Sequence, residues 1–348
     1  MYESHFGFKE LPFGLTPDPS YFFACSSYRE ALDTLLVAAF TGEGFIKIIG
    51  EVGNGKTLLC RTFLAALQDR SDPEDSGDPQ EGGNSQDGGA AQDGGAAQDD
   101  GASQDGGDPQ DGGDPQDGGD PQGAVAQVSK ALGVKRKYVT AYLPNPYLDP
   151  RGLLLALAEE FGVDVDRGDD LHMLVKAVTS GLFEIAQDGK HALVCLDEVQ
   201  AMPQVTLEAV RLLTNLETEK RKLLQVVLFG QPELDQKLQH RSARQMLQRI
   251  TFQYSLAGLR EDEIAAYLDH RLRVAGFERR GLFTGAAVRL LHRYSGGTPR
   301  LVNILAHKAL MLAFGEGALE IGPRQIKAAA ADTPAARRPR GLLEWLGQ

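Results

Sequence analysis

Eight consecutive residues carry the clearest chemical pattern in the chain. Gly50-Glu51-Val52-Gly53-Asn54-Gly55-Lys56-Thr57 reads G-x-x-x-x-G-K-T. Glycines at these places let backbone N–H groups close around phosphate oxygens, and a helix that starts there adds its partial positive charge. The lysine would reach the β- and γ-phosphates, and the threonine hydroxyl would hold Mg²⁺. The candidate nucleotide-binding stretch is therefore Gly50, Glu51, Val52, Gly53, Asn54, Gly55, Lys56, Thr57 and Leu58. Thr57 is the first candidate metal ligand.

A second constellation lies far along the chain. Ala192-Leu193-Val194-Cys195-Leu196-Asp197-Glu198 is an apolar run that ends in two acids. A strand of this kind delivers its last residues to the edge where open α/β sheets bind ligands. There Asp197 would hold a Mg²⁺ hydration shell, and Glu198 would polarise an attacking water. Taken without the glycine loop, such acids are usually solvated turn residues. Gln231 follows the apolar run Leu224-Gln225-Val226-Val227-Leu228-Phe229-Gly230, where a polar side chain could contact a γ-phosphate or the water. An ordinary turn glutamine is the other reading.

These residues need strands and helices to place them. Phe45-Ile46-Lys47-Ile48-Ile49 suits a buried strand before the loop, and Leu58, Leu59, Thr62, Phe63, Ala66 and Leu67 recur at helical spacing after it. Residues 28–40 predict a helix leading into that strand. A second strand is predicted over 138–143, a helix after Asp149-Pro150, and another after Asp170, with both acids as N-caps. A helix over 203–216 precedes the strand at 224–230, and a strand over 250–254 closes the sheet. Strands then stop. Residues 260–275, 284–294, 299–314 and 323–331 read as four helices, a smaller helical domain spanning 259–331.

Residues 1–28 are proline-broken and aromatic, with Phe6, Phe8, Pro12, Phe13, Tyr21, Phe22 and Phe23. They are expected to form an extended arm on the domain. Either the arm covers core surface, or Pro12 and Phe13 flank an adenine ring. Residues 71–123 are a different material. From Gln86 they count in sixes, QDGGAA twice, QDDGAS once and QDGGDP three times, with no aromatic or branched aliphatic residue. Such a segment cannot bury enough surface to offset its ordering, so a disordered acidic loop inserted in the domain is expected. Lengthening a short loop to about 50 residues costs only about 2 kcal/mol of closure entropy, so the fold can carry it. It reads as a tolerated repeat expansion, with weak cation binding as the functional alternative. Residues 332–348 read as a flexible tail, either frayed or docking through Arg337, Arg338, Arg340 and Leu342-Leu343-Glu344-Trp345-Leu346.

The formal charge of −12 comes from the repeat. Of 48 acidic residues, 15 fall within 71–123, which has no Lys or Arg. The remainder carries 33 acids against 36 bases, about +3, so a strongly basic nucleic-acid face is not indicated. Cys25, Cys60 and Cys195 are unevenly spaced; Cys60 and Cys195 read as small buried thiols, and a reducing cytoplasm is expected. No signal peptide is visible, and no apolar run approaches the roughly 20 residues of a membrane span.

With these pieces in place the chain resembles AAA+ ATPases, and more narrowly the family of general secretion pathway protein A and the MSHA-pilus biogenesis ATPase. The resemblance rests on Tyr2-x-x-His5-Phe6-Gly7, Pro12-Phe13, Thr16-Pro17-Asp18-Pro19, the octet at 50–57, and Asp197-Glu198 with Gln200. It also rests on Leu212-Leu213-Thr214-Asn215-Leu216-Glu217, Gly230-Gln231-Pro232-Glu233-Leu234, Gln248-Arg249-Ile250 and Gly296-Gly297-x-Pro299-Arg300. It covers 1–70 and 124–330. It implies an α/β fold, a parallel five-stranded sheet sandwiched by helices over 29–258, followed by an all-α lid. It implies ATP hydrolysis with Mg²⁺, with Gln231 at the sensor-1 position and Arg300 at sensor 2. It places the arginine finger at Arg249, offered to a neighbouring subunit, with Arg244 as the competing candidate on the same helix. Surface ion pairs are the other reading for Arg249 and Arg300.

A trans finger implies self-association into a ring, and the family implies a protein partner at the inner membrane or export apparatus. Longer secretion-type members continue into a membrane span and a cell-wall-binding region, so the shorter pilus-type member is expected to be the nearer relative. The expected function is an Mg²⁺-dependent ATPase, cytoplasmic or peripheral at the inner membrane, serving assembly of a secretion or pilus apparatus. A DNA-linked ATPase of the transposition target-selector type and a nucleotide-gated adaptor with little turnover are the alternatives.

Overall fold

The computed structural model describes residues 2–16, 18–68, 121–217, 221–240, 243–279 and 281–337. Five strands, β1 (Phe45–Gly50), β2 (Lys137–Leu143), β3 (Lys190–Leu196), β4 (Leu224–Gly230) and β5 (Ile250–Leu256), form one sheet in the order β2-β3-β4-β1-β5. Every pairing is parallel. Parallel sheets need cover on both faces, which is why β1, β3 and β4 read as near-continuous apolar runs.

The two-residue period of a strand divides those runs between two cores. Ile46, Ile48, Leu193, Cys195, Val227 and Phe229 join one, with α2 (Ser26–Thr41), α3 (Lys56–Gln68) and α4 (Pro121–Leu132). Phe45, Val194, Leu196, Val226 and Leu228 join the other. That face is covered by α5 (Pro150–Phe161), α6 (Leu171–Gln187), α7 (Gln204–Leu213), α8 (Glu233–Gln239) and α9 (Arg244–Leu247). Two buried polar side chains sit within the strands, Lys47 on β1 and Gln225 on β4. Lys47 Nζ meets Asp235 Oδ1 at 2.6 Å. Gln225 Nε2 donates to Ala39 O at 3.2 Å and Glu43 O at 2.9 Å, closing the C-terminal end of α2. Asp149 and Asp170 cap α5 and α6, accepting from Gly152 N at 2.6 Å and Met173 N at 2.9 Å.

After β5 come α10 (Glu261–Val274), α11 (Gly285–Ser295), α12 (Pro299–Gly315) and α13 (Pro323–Ala331). Their apolar stripes, including Leu268, Leu291, Leu305 and Ile326, continue the first core. The N-terminal arm lies across these helices and opens on a helical turn, α1 (Glu3–Phe6). Tyr2 OH meets His307 Nδ1 at 2.8 Å, Lys9 N donates to Ala275 O at 2.8 Å, and Arg271 Nε donates to Pro12 O at 2.6 Å. The Phe13 ring is spent edge-on against Phe283, 6.0 Å between centroids.

Three differences from the sequence reading have physical causes. The helix α4 was not foreseen: Val125 and Ser129 are buried on it, but its short amphipathic run adjoins the acidic repeat and its first turn overlaps the expected insert. The helix expected over 203–216 stops at Leu213, where Thr214 Oγ1 turns back to Arg211 O at 2.8 Å. Arg249 does not share a helix with Arg244, because α9 ends at Leu247 and Arg249 sits in the turn before β5. The insert from 71 to 120 and the tail residues Arg338, Arg340 and 342–346 lie outside the described residues. Among the described residues no helix is long and apolar enough to cross a membrane. Cys25, Cys60 and Cys195 are all free and buried.

Phe229, fully buried near the C-terminal end of β4, tests the packing of the sheet face. Phe229→Ala is expected to cost about 3–5 kcal/mol, read as a lower urea midpoint with an unchanged slope.

Candidate functional site

The glycine loop joins the C-terminal end of β1 to the first turn of α3. Gly53 (φ +86°) and Gly55 (φ +85°) take the left-handed conformation that folds the loop back over the helix start. Lys56 is buried, and its Nζ donates to Gly50 O at 2.7 Å and Glu51 O at 3.1 Å. Burial pulls the Lys56 pKa down, while Glu198 and Asp197 push it back up. Asn54 Nδ2 donates to Leu256 O at 2.9 Å, pinning the loop to the end of β5, and Tyr28 OH donates to Gly55 O at 3.3 Å. Glu51 and Val52 stand exposed at the tip, and Leu58 is half-buried on α3.

Asp197, the residue after β3, is only 2% exposed. Its Oδ2 accepts from Thr57 Oγ1 at 2.6 Å and from Tyr142 OH at 3.4 Å, and its Oδ1 accepts from Glu198 N at 2.9 Å. Burial raises its pKa, opposed chiefly by the Thr57 hydrogen bond. Glu198 has φ +54°, the one non-glycine positive φ among the described residues. Holding such a residue costs about 1–3 kcal/mol, and strain of this kind clusters at functional sites. Glu198 Oε2 accepts from Gln231 Nε2 at 2.9 Å and also from Gln200 Nε2. Gln200 Oε1 in turn accepts from Gln231 N at 3.1 Å.

Lys56, Thr57, Asp197, Glu198 and Gln231 are thus brought to one rim of the sheet. Arg300 reaches the same loop through its backbone, its N–H donating to Gly53 O at 3.3 Å. Arg249 does not join them. It is exposed, and its Nη1 donates to Asn215 Oδ1 on the opposite rim. The length of β5, roughly 20 Å for seven residues, separates that rim from the glycine loop. Arg244 is likewise exposed on α9.

Three contributors escaped the sequence reading. Tyr142 was a strand residue there, and only the β2–β3 register, pairing it with Cys195, reveals its reach to Asp197. Gln200 carried a signal, two residues past Glu198, but no role. Lys237 carried none. It donates from α8 to Gln200 O at 2.9 Å and to Met202 O, holding the short helical turn after Glu198.

The donor set fits Mg²⁺: a hydroxyl and a buried carboxylate oxygen in contact are hard ligands, and Mg²⁺ sites take the rest from phosphate and water. The model of one protein family, described as AAA domain, matches residues 39–238. The chain belongs to the AAA domain family. It is 33% identical over 330 residues to General secretion pathway protein A of Aeromonas hydrophila, a match covering 95% of this chain and 48% of that protein. The chain thus spans about half the length of that relative. The chain is also similar in fold to solved structures. The ORC2 protein of Aeropyrum pernix has a TM-score of 0.52 at 14% identity, covering 90% of this chain and 68% of that one. Drosophila ORC bound to DNA has 0.54 at 14% identity, covering 92% and 64%. Cdc6p of Pyrobaculum aerophilum has 0.52 at 12%, covering 95% and 70%.

A pair of substitutions reads the approach of α12 to the loop. A Cβ on Gly53 would lie 2.6 Å from Arg300 Cβ, whereas one on Gly55 would meet Tyr28 at an ordinary 3.5 Å. Both alanines force a left-handed backbone, at about 1–2 kcal/mol. Gly55→Ala is expected to lose about that much in urea unfolding, and Gly53→Ala measurably more.

Proposed function

We propose that this AAA domain hydrolyses ATP with Mg²⁺ and uses the cycle to power or regulate assembly of a secretion, pilus or other cell-envelope export apparatus. The observation that carries the chemical part is the convergence of Lys56, Thr57, Asp197, Glu198 and Gln231 on one rim. The relative named General secretion pathway protein A supports the biological part.

The chemistry is electrostatic. The Gly50–Leu58 backbone would wrap the phosphates, and Lys56 Nζ would leave the Gly50 and Glu51 carbonyls for the β- and γ-phosphate oxygens. Thr57 and Asp197 would hold Mg²⁺, which supplies charge neutralisation on the phosphates. Glu198 would orient a water and take its proton as the water oxygen bonds to the γ-phosphorus and the β–γ bridging oxygen leaves with ADP. Gln231 would report the γ-phosphate. Arg300, already against the loop, would add positive charge and couple nucleotide state to a lid spanning 259–331.

Arg249 lies too far from its own chain's loop to act in cis, so as a finger it must serve a neighbour. We therefore propose a ring in which Arg249, with Arg244 as the alternative, completes the next subunit's site. A protein partner would link this ring to the inner membrane.

Two measurements check this reading. Glu198→Gln should keep ATP affinity while phosphate release falls about 10²-fold or more; unchanged turnover would refute hydrolysis at this site. Lys56→Ala and Arg249→Ala proteins, each inactive alone, should regain turnover when mixed, because a mixed ring contains sites with both groups intact. No recovery at any ratio would remove the trans finger.

A further inference from the structure

We infer that Gln200 is a positioning residue for hydrolysis, fixing the Glu198 carboxylate so that one defined oxygen faces the attacking water. The inference rests on the hydrolysis reading above and adds a residue to which that reading gives no part.

Two amide donors converge on a single oxygen of Glu198. Gln231 Nε2 and Gln200 Nε2 both donate to Oε2. A carboxylate oxygen has two lone pairs in its plane, so two donors fill Oε2 and leave Oε1 as the acceptor for water. Gln200 also accepts from the Gln231 backbone N–H through its own Oε1. The three residues therefore form a closed hydrogen-bonded circuit, in which Gln200 uses both ends of its side-chain amide.

The two donors are not equivalent. Gln231, as the residue at the end of β4, has to turn its amide toward a γ-phosphate to report it, and in doing so releases Oε2. Gln200 then becomes the group that keeps Glu198 from swinging. Its main chain is suited to this. The turn Val199–Ala201 follows directly on the left-handed Glu198, and Lys237 Nζ grips it through Gln200 O at 2.9 Å and Met202 O. A clamp anchored on α8 stays in place while the nucleotide-facing group moves. The same circuit helps retain the strained backbone at Glu198: the turn on its far side is held by Lys237 and by the Gln231 N–H.

The test compares kcat with nucleotide affinity. Gln200→Ala is expected to lower kcat about tenfold, the loss of one hydrogen bond to a charged group, while the Kd for ATPγS with Mg²⁺ stays within about twofold. Gln200→Met keeps the volume if the alanine variant does not fold, and should fall equally. Gln200→Glu keeps the acceptor for Gln231 N–H but loses the donor, so it should fall at least as far. In a Glu198→Gln background, Gln200→Ala should bring no further loss, because its effect runs through the carboxylate. Wild-type turnover in Gln200→Ala or Gln200→Glu, a parallel loss of affinity, or an additive loss with Glu198→Gln would each overturn the inference. A wild type that binds ATP but releases no phosphate would overturn the hydrolysis reading, and this inference with it; a wild type that turns over beside an unaffected Gln200→Ala overturns this inference alone.

Discussion

The hydrogen bond from Thr57 Oγ1 to Asp197 Oδ2, at 2.6 Å, is the constraint on which the rest of the architecture depends. It joins the first turn of α3 to the residue after β3, across the intervening strand β4. Two chain segments 140 residues apart can meet this way because all five strands run parallel and their C-terminal ends share one rim. Shift β3 by one residue against β4 and Asp197 would face the wrong side of the sheet, since side chains alternate with a period of two. The apolar alternation that splits the strands between two cores is what prevents that slip.

Around this contact the molecule holds charged groups in a dry place. Lys56 and Asp197 are both buried, and burial moves each toward its neutral form. Such groups are costly unless paired, and here their partners are backbone carbonyls, a hydroxyl and an amide N–H. Under the proposed function a phosphate and a divalent cation would supply the opposite charges at the same positions. The site would then be preorganised, the condition under which electrostatic stabilisation of a transferring phosphoryl group is large. The start of α12 and the turn before it complete the enclosure: Arg300 N–H bonds the loop at Gly53 O, and Gly297 O accepts from Leu259 N in the strand-to-helix connection.

Much of this was legible because each feature had a local chemical signature. The glycine spacing at 50–57, the two acids closing an apolar run, and the caps Asp149 and Asp170 need no tertiary information. The five strands and the four C-terminal helices follow from periodicity alone. What escaped depends on long-range geometry. Tyr142 and Lys237 reach the site only through strand register and helix packing. The helix α4 was hidden because a short amphipathic run beside a glycine-rich repeat gives too few turns to establish a period. The separation of Arg249 from Arg244 hinges on where a four-residue helix ends, a boundary that propensity does not fix.

The most direct test of the central contact is calorimetric titration of ATPγS into wild-type and Thr57→Val protein, each with Mg²⁺ and with EDTA. Mg²⁺ is expected to tighten binding to the wild type, and valine at 57 to abolish this gain while leaving metal-free affinity nearly unchanged. Affinity in the wild type that is indifferent to Mg²⁺, or a metal gain that survives the loss of the Thr57 hydroxyl, would contradict this.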